Sequence, residues 1–256
     1  MLFAQKFNRA LLALGEVAIL CSEAARAFFS RKLSFKDLIY QLYSIGVMSQ
    51  SVVLITGAFT GMVLAAQTYL QFHKVRMDTA TMAVVSVSML SQLGPVLTGL
   101  MVAGRVGASI AAELGTMKVT EQIDALRTLA THPVDYLVLP RIVAATLALP
   151  LLAAEAMALG IGAGFYVTTV LLGVDSSYTW ANMLKYTVPD HLYGGLFKAV
   201  FFGAAISLIA CYKGLNCGEG AEGVGRATTQ AVVASSITIL ISNFFLTLLV
   251  GRLFAP

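Results

Sequence analysis

Apolar residues in this chain fall in long unbroken runs, not in the one-faced or alternating patterns of a water-soluble fold. Five stretches, about 46–70, 79–103, 137–172, 191–212 and 229–251, stay apolar for as long as a helix needs to cross hydrocarbon. The third is longer than one crossing needs, since its ~36 positions at ~1.5 Å each reach roughly 54 Å. A bent or interfacial start near Arg141 and Pro150, followed by one crossing, is expected. Two crossings would each be short and would lack a polar turn. The pattern therefore predicts an all-α integral membrane protein of about five transmembrane helices.

Ahead of these runs, Phe3, Phe7, Ala10, Leu14, Val17, Cys21, Ala24 and Phe28 recur at alternating spacings of four and three. Arg9, Glu16, Glu23, Arg26 and Ser30 occupy other faces. Such a helix lies in a membrane interface and does not cross it. The expected organisation is an N-terminal interfacial amphipathic helix over 1–36 and a membrane domain over 37–256. A helix packing on the soluble side is the alternative for the first part. Glu16 interrupts residues 10–20, and Leu20 is bulky for a cleavage site before Cys21, so no cleaved leader is expected.

Composition supports the membrane. Apolar residues make up 58% of the 256 and charged residues only 12%, against about a quarter in soluble domains. Mean hydropathy is +0.82. The net charge of +4 forms no single patch, which argues against nucleic acid as a partner. The basic residues flank the apolar runs and encode orientation. One side collects Lys6, Arg9, Arg26, Arg31, Lys32, Lys36, Arg105, Lys118, Arg127, Arg141, Lys213 and Arg226; the other has Lys74, Arg76, Lys185 and Arg252. Positive residues stay inside, so the N-terminus is expected in the cytoplasm and the C-terminus outside. Residues 104–136 then form the largest cytoplasmic segment. The outer segment 173–190 carries the only tryptophan, as an interface does.

Catalytic signatures are missing. No lysine follows a glycine, so there is no phosphate-binding loop, and neither H-E-x-x-H nor G-x-S-x-G occurs. His73, His132 and His191 fall in separate segments, and no metal site is expected. Cys21, Cys211 and Cys217 are too scattered for a disulfide framework. Gly218–Gly223 fits G-x-G-x-x-G, yet it follows a membrane helix and carries Glu219 and Glu222, which repel phosphate; a flexible loop is the expected reading. Gly57 and Gly61, and Gly160, Gly162 and Gly164, are suited to backbone-to-backbone helix packing.

The segment 104–133 is the richest. Thr120 is placed to cap a helix that His132-Pro133 ends. On it Ile123, Leu126 and Leu129 form an apolar stripe, and Glu121, Asp124 and Arg127 a charged one. Two defined faces suit docking into a groove on a soluble partner; an ordinary surface helix packing on its own subunit is the alternative. Arg105 and Glu113 lie eight positions apart, roughly 12 Å along a helix, so each must meet another segment, a second subunit or lipid headgroups. Within the apolar runs Glu155 and Lys198 stand out, with Gln67 and Gln92 as neutral companions. Pairing of Glu155 with Lys198 across helices and separate roles for the two are both open.

The stretch LGPVLTGLMVAGRVGASIAAELGTMKVTEQIDALRTLATHPVDYLVLPR (93–141) closely resembles the signature of the MlaE family of lipid-transporter permeases. GAFTGMVLAAQTYL (57–70), GLFKAVFFG (195–203) and GVGRATTQAVV (223–233) match further motifs of that family in order. The resemblance implies a homodimer in the inner membrane of a bacterium with two membranes. Two cytoplasmic ABC ATPase subunits would supply ATP-Mg chemistry, so the chain would be no enzyme and hold no cofactor. A periplasmic MCE-domain protein would carry phospholipid. It assigns a coupling role to the helix with Glu121, Gln122, Asp124, Ala125, Leu126 and Arg127. It places Leu64, Gln67, Gln71 and Phe72, with Gln92 and Lys198, in contact with lipid between protomers. Many relatives carry an acidic residue where this chain has Gln92. A non-transporting membrane scaffold that anchors the soluble partners is the alternative function.

Overall fold

The computed structural model describes residues 15–28, 35–129 and 132–253, and every regular element among them is a helix. These are α1 (15–28), α2 (Phe35–Val75), α3 (Asp78–Val119), α4 (Gln122–Thr128), α5 (Val134–Leu171), α6 (Ser176–Tyr186), α7 (Pro189–Leu215) and α8 (Gly220–Leu253). Five of them, α2, α3, α5, α7 and α8, are long and apolar enough to cross a membrane. The expected crossings lie inside these helices, except that 137–172 runs one residue past the end of α5; α2, α3 and α8 extend well beyond their apolar runs, α5 and α7 by only two or three residues.

Helix α3 has 42 residues, about 63 Å at ~1.5 Å per residue, roughly twice the thickness of the hydrocarbon layer. Residues 104–119, which begin the segment expected in the cytoplasm, continue this rod. Helix α2 likewise starts at Phe35, so the expected boundary at residue 36 falls within its first turn. Helix α5 is continuous over 38 residues, with Pro150 inside it. It crosses once, as its length requires. At its start Leu137, Val138, Leu139, Pro140 and Arg141 are all buried in the bundle.

One end of the bundle carries α6 and Trp180; the other carries α1, α4 and the turn at 216–219. Between α3 and α4 the chain turns through Glu121, which adopts a left-handed conformation (φ 59°). Thr120 does not cap α4. Its hydroxyl donates to the Thr116 carbonyl at 2.8 Å and so closes α3. On α1, Leu20, Ala24 and Ala27 are buried, and Tyr212 of α7 donates to Glu16 Oε2 at 2.6 Å. The buried face is thus rotated slightly from the expected stripe, and Cys21 is exposed. Residues 3–14 of that stripe lie outside the described residues. The G-x-G-x-x-G match is less loop than expected: only 216–219 link α7 to α8, and Gly220 already begins the helix.

The bundle is held by close backbone approach. A Cβ on Gly57 would lie 2.7 Å from the Ala156 carbonyl oxygen, and one on Gly61 would collide with the Gly160 carbonyl. Only glycine permits α2 and α5 to touch along this line, which lets dispersion act over many atoms. The packing is within the chain. Gly162, by contrast, meets open space. Helix α7 packs on α5, α3 and α8. Outside this core, Ile55, Phe59 and Val63 of α2 and Leu240, Phe244 and Phe245 of α8 are more than half exposed. In water such faces would drive aggregation; in hydrocarbon they are matched to their solvent. The chain is a multi-pass membrane protein.

Candidate functional site

The deepest polar feature is built around Lys198, which is 2% exposed in the middle of α7. Its Nζ donates to the Ser91 carbonyl at 2.8 Å, to Gln92 Oε1 at 3.0 Å and to Thr247 Oγ1 at 2.8 Å. The local sequence explains the first of these. In an α-helix the Ser91 carbonyl would accept the N–H of the residue four positions on, and that residue is Pro95, which has none. Here α3 passes through a wide π turn over Met89–Leu93, and the freed carbonyl takes the ammonium. Turns of this kind recur at functional sites.

Around the ammonium the polar groups are neutral. Asn243 Nδ2 donates to Gln92 Oε1 at 3.3 Å, and the Thr247 hydroxyl donates to the Asn243 carbonyl at 2.7 Å. Asn243 Oδ1 is buried without a partner. Ser91 Oγ lies 3.1 Å from His191 Nδ1. A buried cation costs several kcal/mol to desolvate unless its donors are all used. Lys198 uses its three, yet no carboxylate among the described residues pairs with it.

Glu155 takes no part in this cluster. Its Oε2 accepts from Gln50 Nε2 of α2 at 3.1 Å. The two intramembrane ionisable groups therefore stand apart, because α7 turns Lys198 toward α3 and α8 while α5 turns Glu155 toward α2. Of the other expected lipid contacts, Leu64 and Phe72 are half-buried and Gln67 and Gln71 are exposed on α2. The structure joins Gln92 to Lys198 but leaves these four along the outside of the first crossing.

At the opposite end, Arg105 and Glu113 both find partners beyond α3. Arg105 Nη1 donates to the Ser44 carbonyl at 3.2 Å and to Ser49 Oγ at 2.7 Å on α2. Glu113 Oε2 lies 3.0 Å from Arg141 Nη2 of α5, and Ser109 donates to Glu113 Oε1 at 3.2 Å. Arg141 is 8% exposed in its side chain and also donates to the Leu137 carbonyl at 2.7 Å.

Helix α4 turns two of the three residues of its apolar stripe inward. Ile123 is buried and Leu126 half-buried against the bundle. The outward face presents Glu121, Gln122, Asp124, Ala125, Arg127 and Leu129, the last 74% exposed. Arg127 and Asp124 form an exposed pair at 3.1 Å, which contributes little. Among the described residues, no three His, Cys, Asp or Glu side chains gather as metal ligands do.

Sequence reasoning missed Ser91, Thr247 and Asn243. Two signals were present. Ser91 stands four residues before a proline, and Asn243 and Thr247 share one face of an otherwise apolar helix at the i, i+4 spacing.

Comparison with known proteins gives a consistent set of likenesses. The family described as Permease MlaE matches residues 38–249. A probable ABC transporter permease protein of Rickettsia bellii is 46% identical over 234 residues, covering 91% of this chain and 90% of that protein. Another of Synechocystis is 40% identical over 215 residues, covering 84% and 82%. The intermembrane phospholipid transport system permease protein MlaE of Haemophilus influenzae is 37% identical over 214 residues, covering 83% and 82%.

Proposed function

The chain belongs to the MlaE permease family, and from that premise we propose that it is the membrane subunit of an ABC transporter for phospholipid. The transporter moves lipid between the inner membrane and a periplasmic MCE-type lipid-binding partner, and a separate ATPase supplies the energy. The name of the Haemophilus influenzae relative supports phospholipid as cargo. In this reading two copies form the complex, with the N-terminus and α4 in the cytoplasm. The Trp180 end and the C-terminus face the periplasm, in line with the distribution of Lys and Arg.

The observation that carries transport over a passive scaffold is the Lys198 cluster. A static anchor could tie α3 to α7 with neutral side chains, at less cost than an ammonium without a carboxylate at membrane depth. The charge suits a cluster that exchanges its hydrogen bonds for those of a charged headgroup during transport. Leu64, Gln67, Gln71 and Phe72, on the outward side of α2, then line the space between two protomers. ATP and Mg are held by the ATPase, and this chain contributes the exposed face of α4 to it. Nucleotide-driven closure pushes on α4, and the long helices pass the movement to the lipid-bearing half.

The test is reconstitution with the ATPase and transfer of a labelled phospholipid placed in one leaflet. Transfer that depends on nucleotide and is lost in Lys198→Met supports the proposal. Assembly of the full complex with no nucleotide-dependent transfer supports the scaffold instead.

A further inference from the structure

The cleft at Arg105 is separate from the Lys198 cluster, since Gln92 and Arg105 lie thirteen positions apart on α3, roughly 20 Å along the rod. Gln41, Ser44, Ile45, Arg105, Ser109 and Glu113 line it, around a volume of about 140 Å³. That is the space of about four or five waters at ~30 Å³ each, enough for a phosphate group and too small for a whole lipid.

Arg105 is anchored on one side only. Both hydrogens of Nη1 are taken by the Ser44 carbonyl and Ser49 Oγ. The Ser44 carbonyl lies in a π turn over Tyr43–Val47, where the Met48 N–H bonds the Tyr43 carbonyl instead. The Nε–Nη2 edge of the guanidinium has no partner among the described residues, and neither atom is sealed from the surroundings. That edge is the fork that binds a phosphate through two parallel hydrogen bonds. The one carboxylate at the rim, Glu113, has both oxygens engaged, by Arg141 and by Ser109. Its charge is balanced by Arg141, so the cleft keeps the single positive charge of Arg105. Ser44 adds a hydroxyl and Gln41 an amide, while the Ser109 hydroxyl is committed to Glu113. Beside the cleft, Tyr43, Val47 and Met48 of α2 are each more than half exposed and supply an apolar track along the same helix.

We infer that this cleft binds the phosphate of a phospholipid headgroup from the leaflet at the α4 end, with the acyl chains lying along Val47 and Met48. The lipid pins α2 to α3 through Arg105. The inference rests on the membrane placement of the helices and not on transport, so its failure leaves the proposed function standing.

The experiment measures lipid retained by the purified full-length chain in detergent, by native mass spectrometry, with dioleoylphosphatidylglycerol, dioleoylglycerol or inorganic phosphate added. Two variants are compared with the wild type. Arg105→Gln removes the fork. Ser109→Asp places a carboxylate one turn from Arg105, where it fills the free edge from within and leaves the Ser44 and Ser49 bonds intact. Each variant should bind one phosphatidylglycerol per chain roughly tenfold more weakly, the loss of a charged hydrogen-bonded contact. Dioleoylglycerol, which lacks the phosphate, should be indifferent to both changes. Phosphatidylglycerol retention unchanged in Ser109→Asp, a variant that keeps the fold, overturns the site. Inorganic phosphate bound as tightly as the lipid, and lost in both variants, overturns the lipid assignment in favour of a free-phosphate site.

Discussion

The ammonium of Lys198 sits 2.8 Å from the carbonyl oxygen of Ser91, an oxygen that the ring of Pro95 leaves without its helical donor. A break in the backbone ladder of α3 is thus repaired by a side chain from α7. The repair ties the two helices together at membrane depth. Replacing Lys198 with Met strands the Ser91 carbonyl and removes a donor from Gln92 and Thr247. The expected cost is about 1–3 kcal/mol for each acceptor left buried, read as a lower unfolding midpoint in detergent. A midpoint unchanged from the wild type would refute the repair.

Gln92→Glu should act in the opposite sense. It gives Lys198 a carboxylate at the position where an amide oxygen now stands 3.0 Å away. The present bond is already charge-assisted through the ammonium, so only the surplus of an ion pair over its desolvation is gained, and stability should rise by about 1 kcal/mol. Thermal unfolding of the purified variant decides this, and a fall in stability would mean that the neutral cluster is already optimal.

Glu155 and Lys198 should be energetically independent, because Glu155 is engaged by Gln50. In a double-mutant cycle of Glu155→Gln and Lys198→Met, the coupling should lie within about 0.3–0.5 kcal/mol of zero. A coupling beyond 1 kcal/mol, roughly twice that scatter, would restore the pair that the sequence left open.

Much of the fold was legible because hydrocarbon imposes a simple demand: long apolar runs become long helices. What hydropathy cannot see is how far a helix continues beyond the lipid. The apolar run ends near residue 103, yet α3 carries on in register to Val119. Thr120 illustrates a local ambiguity, since the same hydroxyl can begin one helix or finish another; the left-handed turn at Glu121 decided for finishing. For Lys198, the residue could be singled out but not its partners. Which face of α7 it occupies depends on packing set by Gly195 and Gly203 against α3 and α5, far from it in sequence.

The two faces of α4 should separate in binding assays. Leu126 is half-buried against its own bundle, so Leu126→Asp should destabilise the chain by about 2 kcal/mol or more. Leu129→Asp and Ala125→Arg alter only the outward face. They should leave unfolding unchanged and reduce co-purification of the ATPase. Full recovery of the ATPase with both outward variants would remove α4 from the interface.

Glu113 and Arg141 form an unequal pair, 51% and 8% exposed in their side chains. Glu113→Gln leaves a guanidinium buried and should cost more than Arg141→Met, which leaves a carboxylate in contact with water. The cost should stay below the ~3–5 kcal/mol of a fully enclosed pair. Equal losses on thermal unfolding would show that burial does not govern this contact.

Because α3 is one unbroken rod from Asp78 to Val119, it has the form of a piston. Gln92 near one end and the Glu121 corner beyond the other are separated by ~40 Å of helix at ~1.5 Å per residue. Such a rod cannot absorb a stroke by bending at a loop, for it has none. It can yield at only two seams, the wide turns over Met89–Leu93 and Ala103–Gly107, where one extra residue is already wound into the spiral. Those seams hold Gln92 and Arg105. In the coupling proposed for α4, a thrust on that end would be delivered at the residues that grip the neighbouring helices, and slippage there by a single residue would change both grips in one step.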